Sequence, residues 1–183
     1  MQQDGQIIVR RLRKLLLKLK RQPPYILVSH SLGGLYANLY ARLYPNEVAG
    51  ILFVEAGHPD EDIENRKQKK GVARLSENIL SRFSGSFKED ETSEYHGAAA
   101  TVEQIQQAGP FPEIPLAVVT GAKKMPFVPR EMFELHQEKQ LDLVRLSLNA
   151  IHVVAQKSDH MPQISEPEVV LNALEGLTDC IAA

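Results

Sequence analysis

The stretch from Tyr25 to Leu43 constrains this chain more than any other. Tyr25-Ile26-Leu27-Val28 is a short, almost unbroken apolar run after the break Pro23-Pro24. It reads as a strand buried on both faces, as in a parallel sheet. Leu32, Leu35, Tyr36, Leu39, Tyr40 and Leu43 then recur at helical spacing until Pro45 ends them. Between the two lies Ser29-His30-Ser31-Leu32-Gly33-Gly34, so the backbone must turn from strand into helix within a residue or two. That geometry demands small neighbours. Ala49-Gly50-Ile51-Leu52-Phe53-Val54 is a second buried strand, and strand, helix, strand within about thirty residues is a right-handed crossover unit.

The unit recurs loosely downstream. Leu116 through Gly121 reads as a third strand, 129–147 as a helix and Ala150 through Ala155 as a fourth strand. A helix from Ser165 to about Thr178 closes the chain, with Ser165 and Glu168 spaced as a capping box. At the other end, residues 6–21 place Ile8, Leu12, Leu15, Leu16 and Leu19 on one helical face and basic side chains on the other. Residues 56–114 differ in character: rich in Lys, Glu, Gln and Ser, without a strand-like run, and too long for a plain crossover. They predict a helical lid insertion at the carboxyl end of a strand, with helices over 60–83 and 101–108 and turns at Ser84-Gly85-Ser86 and Gly109-Pro110-Phe111-Pro112. The expected architecture is therefore α/β, a mostly parallel sheet of about four strands with flanking helices. Its parts are 1–55 (basic helix, strand, turn and crossover), 56–114 (lid) and 115–183 (the rest of the same core). At 183 residues the chain suits one core.

Charge narrows the partners. Residues 10–21 carry seven bases and no acid, which leaves 23 acids against 14 bases elsewhere. An acidic body argues against nucleic acid as the main partner. The basic helix could bind an anionic surface or an acidic partner, but it leads directly through Pro23-Pro24 into the first strand, which favours a place in the fold. No apolar run approaches a membrane span, and the N-terminus lacks the apolar stretch and cleavage site of a secretory signal. A cytoplasmic chain is the default. One cysteine, Cys180, can form neither an intrachain disulfide nor a cysteine cluster for zinc.

The chemistry points to the turn. Ser29 and Gly33, two residues either side of Ser31, are small, so strand and helix can approach closely while Ser31 presents its hydroxyl on a strained turn. The N–H of Leu32, at the start of the helix, is aimed where an oxyanion would form. The alternative is that Ser31 only caps the helix and the glycines bind phosphate; no Walker lysine follows them. His30 is expected to pack at the turn, since successive side chains at a strand end point apart.

Here the sequence resembles the α/β-hydrolase family, whose nucleophile elbow it matches with Ser29 in place of the usual first glycine. The resemblance implies a serine hydrolase of ester or related acyl bonds, with a small-molecule substrate and without cofactor or metal. Of the six histidines, His160 lies in a loop after the last strand, at a place similar to that of the family's catalytic histidine. His152 falls inside a strand, and His96 and His136 on surfaces where a solvated imidazole is expected. Family members commonly carry the triad acid after the penultimate strand, but Gly121-Ala122-Lys123-Lys124-Met125-Pro126 holds no acid. Others carry it after the strand that follows the nucleophile helix, which makes Glu55 the candidate, in the order Ser31, Glu55, His160. The alternative is an acid simply exposed at a strand end. Asp60, Glu61 and Asp62 are rivals that the dipole of a helix after Pro59 accounts for.

The resemblance covers nearly the whole chain but only the second half of the family's fold, without the loop that donates a second oxyanion N–H. The expectation is a truncated chain, impaired as a catalyst and prone to self-association through the exposed edge at Tyr25–Ser29. The competing expectation is a non-catalytic remnant of the same fold that acts as a binding or scaffold protein.

Overall fold

A computed structural model describes residues 4–61 and 94–183. The helix expected over 60–83 lies almost wholly outside the described residues, as does the turn at Ser84-Gly85-Ser86. The described elements are α1 (Gly5–Lys18), β1 (Tyr25–His30), α2 (Gly33–Leu43), a 3-10 turn (Pro45–Glu47), β2 (Val48–Val54), α3 (Glu94–Gln107), β3 (Leu116–Gly121), α4 (Arg130–Val144), β4 (Ala150–Ala155), α5 (Pro162–Ser165) and α6 (Pro167–Ala182). The four strands form one sheet in the order β1-β2-β3-β4. Every pairing is parallel.

Alternation along β2 divides the core. Ile51 and Phe53 join Leu35, Leu39 and Tyr40 of α2 with Val102 and Ile105 of α3. Leu52 and Val54 join Ala117 and Val119 of β3 beneath Ala173 and Leu177 of α6. Helices thus cover both faces, as continuous apolar strands require. The parallel order stacks the carboxyl ends of all the strands on one side of the sheet, where the elbow after β1 also falls.

Three local expectations are corrected. β1, read as buried on both faces, has Val28 55% exposed; it is an edge strand, as the expectation of an open edge at Tyr25–Ser29 has it, and β4 is the other edge, with Ile151 46% exposed, whereas β2 and β3 are almost wholly buried. Apolar composition records what a strand could bury, and sheet order decides what it does bury. On α1 the leucine face expected to pack inward is largely open, with Leu12, Leu15 and Leu19 exposed. The helix is anchored instead by buried Val9, by its Asp4 cap on the Ile7 N–H, and by Arg13, whose guanidinium makes a bidentate pair with Glu47 and lies over the Tyr44 ring. The capping box does not form. Pro167 sets the start of α6, Glu166 is the cap residue without a side-chain cap bond, and the Ser165 hydroxyl turns back to Ser158 Oγ and Met161 O.

Candidate active site

Ser31 leaves β1 with φ +52°. That left-handed conformation costs a residue with a Cβ on the order of 1–3 kcal/mol and persists only where the surroundings enforce it. Here they do: the Ser31 N–H donates to Val54 O at 3.3 Å, and Ser31 O accepts from Gly34 N at 2.9 Å and Gly57 N at 2.8 Å. The close approach is made at Gly34, where a Cβ would stand 2.6 Å from Ala56 Cβ; at Gly33 it would meet Ser29 Cβ at an ordinary 3.7 Å. The requirement for a small residue therefore falls one position later than the sequence suggested. Leu32 is the N-cap of α2, already in helical conformation. Its N–H has no acceptor within the helix and lies at the positive end of the dipole.

Glu55, directly after β2, is also left-handed, at φ +45°. Its N–H is held by Val119 O at 2.8 Å, and the residue is only 4% exposed. Oε1 accepts the Gly121 N–H at 2.7 Å, and Oε2 accepts His160 Nδ1 and His136 Nε2, each at 3.1 Å. Burial opposes a charge on this carboxyl, yet the bonds from His136, His160 and the Gly121 amide together hold it well below the usual carboxylate range, at about 2. Gly121 has a second task. A Cβ there would stand 2.1 Å from Asp159 O, so only glycine lets the loop after β4 cross the end of β3.

That loop delivers His160, whose Nε2 lies 3.1 Å from Ser31 Oγ. It is tied down on both sides. Lys123 N–H donates to Ser158 O at 2.9 Å, and the Glu166 carboxylate accepts from the Ser158 hydroxyl at 2.6 Å and from Lys157 N–H at 2.7 Å. The Ser158 bond holds the Glu166 carboxyl below its ordinary range. His30 donates Nε2–H to His160 O at 2.8 Å, with the two rings 4.8 Å apart, and burial pushes the His30 ring down toward its neutral form. With His160 Nδ1–H on Glu55, the Nε2 lone pair faces the Ser31 hydroxyl. A hydroxyl, an imidazole of fixed tautomer and a buried carboxylate are thus brought together from the ends of β1, β4 and β2. Such a chain can take a proton from the hydroxyl and stabilise the resulting imidazolium.

The other sequence candidates fall elsewhere. His152 stays in β4 and bonds Thr120 Oγ1 at 2.9 Å. Buried His58 accepts the Asp60 N–H at 3.1 Å. Asp60 opens the helical turn after His58, while Asp62 and the His96 side chain lie outside the described residues. His136 overturns the expectation of a solvated imidazole. Its side chain is 17% exposed, with Nε2 on Glu55 and Nδ1 on Glu61 Oε1 at 3.0 Å. The dipole of the helix after Pro59 therefore does not account for Glu61. One signal was readable in advance: His136, Gln137 and Gln140 form a polar face on an otherwise ordinary helix. Gln137 and Gln140 donate to Gly121 O at 3.0 Å and Ala56 O at 2.7 Å, the residues flanking this site. Among the described residues no group of three or more His, Cys, Asp or Glu is placed to hold a metal ion, and no helix is long and apolar enough to cross a membrane.

Comparison with known proteins adds a family. Residues 4–173 match the family model described as "Alpha/beta hydrolase family". The uncharacterized protein YbdG of Bacillus subtilis is 35% identical over 72 residues, which are 39% of this chain and 22% of that protein, so the match spans under a quarter of the relative's length. A thermophilic esterase from Thermogutta terrifontis superposes with a TM-score of 0.63 at 18% identity, over 100% of this chain and 75% of that one. The enol-lactonase from Burkholderia xenovorans LB400 gives 0.59 at 16% identity, over 96% of this chain and 74% of that one. At such identities the likeness is one of fold.

Proposed function

The chain belongs to the alpha/beta hydrolase family, and from that premise we propose that it is a serine hydrolase acting on a carboxylic ester or related acyl bond of a small molecule. Ser31 Oγ attacks the carbonyl carbon as its proton passes to His160 Nε2. The Leu32 N–H helps hold the oxyanion, and His160 then protonates the leaving group. Water repeats the sequence on the acyl-enzyme. Glu55 keeps His160 in the tautomer with Nδ1–H and balances the charge that ring acquires. Of residues 56–114, read from the sequence as the lid, α3 packs in the core; the reading needs no cofactor.

The observation that carries the reading is the continuous chain Ser31 Oγ to His160 Nε2 and His160 Nδ1 to Glu55 Oε2, each link 3.1 Å. Left-handed backbone at both Ser31 and Glu55 supports it, because strain of this kind is retained where a side chain must be presented. Treating the purified chain with a fluorophosphonate tests it. Mass spectrometry is expected to find the adduct on the peptide containing Ser31, and Ser31→Ala to abolish it. Labelling that persists in that variant or falls elsewhere overturns the proposal.

A second element of the reading is self-association through β1. This strand has one neighbour among the described residues and presents Val28, 55% exposed, beside its free backbone groups. Such an edge is a template for pairing with another chain. Light scattering is expected to detect dimers or larger species that Val28→Lys reduces; a strict monomer would remove this element and leave the chemistry untouched.

A further inference from the structure

We propose that His136 is a positioning residue of this site: by bridging Glu55 and Glu61 it fixes the orientation of the Glu55 carboxylate and cancels the charge of Glu61, so that a single net negative charge faces His160. The inference rests on the assignment of Ser31, His160 and Glu55 above.

The geometry is specific. Both ring nitrogens of His136 meet carboxylate oxygens, Nε2 at 3.1 Å from Glu55 Oε2 and Nδ1 at 3.0 and 3.2 Å from the two oxygens of Glu61. A neutral imidazole has one N–H, and its other nitrogen would oppose a lone pair to a carboxylate. Only the doubly protonated ring satisfies both contacts. Although burial works against that charge, the bonds to Glu55 and Glu61 raise His136 to about 10. Its ring lies 6.4 Å from that of His160.

Among the described residues, the charged and titratable groups around the ring are the following. Glu55 lies at the end of β2, Glu61 in the turn after His58, and His160 on the loop after β4, with the His30 ring of β1 tilted beside it. Farther out, His58 is buried and pushed down by that burial, with Asp60, Asp142 and Lys139 near it. Glu55 and Glu61 without His136 would confront His160 with two uncompensated carboxylates. An added negative charge beside an imidazole favours its imidazolium over the free base. With His136 in place, His160 meets a carboxylate whose second contact is already taken and whose orientation is fixed by three donors.

The test is the rate of Ser31 labelling by a fluorophosphonate between pH 5 and 9, in the whole chain and in three variants. His136→Gln keeps a donor but loses the charge, and is expected to move the acidic limb of the profile up by about one pH unit, the size of effect a charge at this separation exerts in a partly screened site. Glu61→Gln is expected to move it down. The double variant His136→Gln/Glu61→Gln restores the net charge and is expected to return the limb to its original place. A purely structural role predicts slower labelling with an unmoved limb in both single variants, and that result overturns the proposal. So does a double variant that behaves like His136→Gln alone. Should His136→Gln fail to fold, Glu61→Gln carries the test: a downward limb supports the proposal and an unmoved one overturns it. Failure of the underlying site is read separately, as labelling that persists in Ser31→Ala or that falls on another peptide of the unsubstituted chain.

Discussion

The loop after β4 and the helix α4 each bring a histidine to the same oxygen of Glu55, at the same 3.1 Å. What differs is the far nitrogen. On His160 it meets the Ser31 hydroxyl, a neutral group with a proton to give; on His136 it meets Glu61, a second carboxylate. One imidazole is thereby kept as a base and the other as a cation. Two identical side chains on one carboxylate acquire different chemistry from their second partner alone. The loop side is also the more open, His160 being 26% exposed against 17% for His136.

The largest effect that would break this comparison comes from exchanging the roles of the two rings. His160→Gln is expected to lower Ser31 labelling and ester turnover by about 10⁴-fold or more, the scale on which a triad base is missed. His136→Gln should cost far less at its own optimum pH. Equal losses measured by kcat/KM on an activated ester would show that the two histidines are not divided as described.

Glu55→Gln removes the shared acceptor and is expected to cost about 10⁴-fold, because the tautomer of His160 is then no longer enforced. Asp60→Asn, in the helical turn that begins at Pro59 and bonded among the described residues to His58 through its amide, should change turnover little. A Glu55→Gln protein of full activity would sink the assignment of the acid.

Stability against pH sharpens the contrast more gently. His136 is raised from 6.5 to about 10 on folding, so its contribution is complete below about 6.5 and is lost as the pH rises through 10. Glu55 is lowered from 4.5 to about 2, so its contribution is complete above about 4.5 and is lost as the pH falls through 2. Urea midpoints are expected to decline on the alkaline side, and His136→Gln to flatten that decline. An unchanged alkaline slope in the variant would mean that the bridge adds nothing to folding.

The smallest effect concerns the elbow. Ser29 Oγ is buried and has no hydrogen-bond partner among the described residues. Ser29→Ala is expected to stay within about 1 kcal/mol of the parent, on the stabilising side, since it removes a buried hydroxyl that nothing satisfies. Gly34→Ala, which forces a Cβ against Ala56, should by contrast destabilise by about 1–3 kcal/mol. Denaturant titration of the pair would show where the turn is tight.

The sequence by itself determined the elements. The bounds of β3 and β4 were legible to the residue, and those of β1, β2 and α2 to within one or two, because apolar periodicity and proline breaks act over a few residues. It also determined which strand ends carry Ser31 and Glu55 and which loop carries His160. Sheet order was not legible. It made the second edge of β4, and tertiary packing left the leucines of α1 in solvent while Arg13 found Glu47. Nor was His136 legible as a partner of Glu55, 81 positions away, since nothing in a local pattern says which polar helix face will meet which strand end. Local periodicity states what each segment can bury; only the closing of one element on another decides what it touches, and the charge carried by the second imidazole follows from that contact.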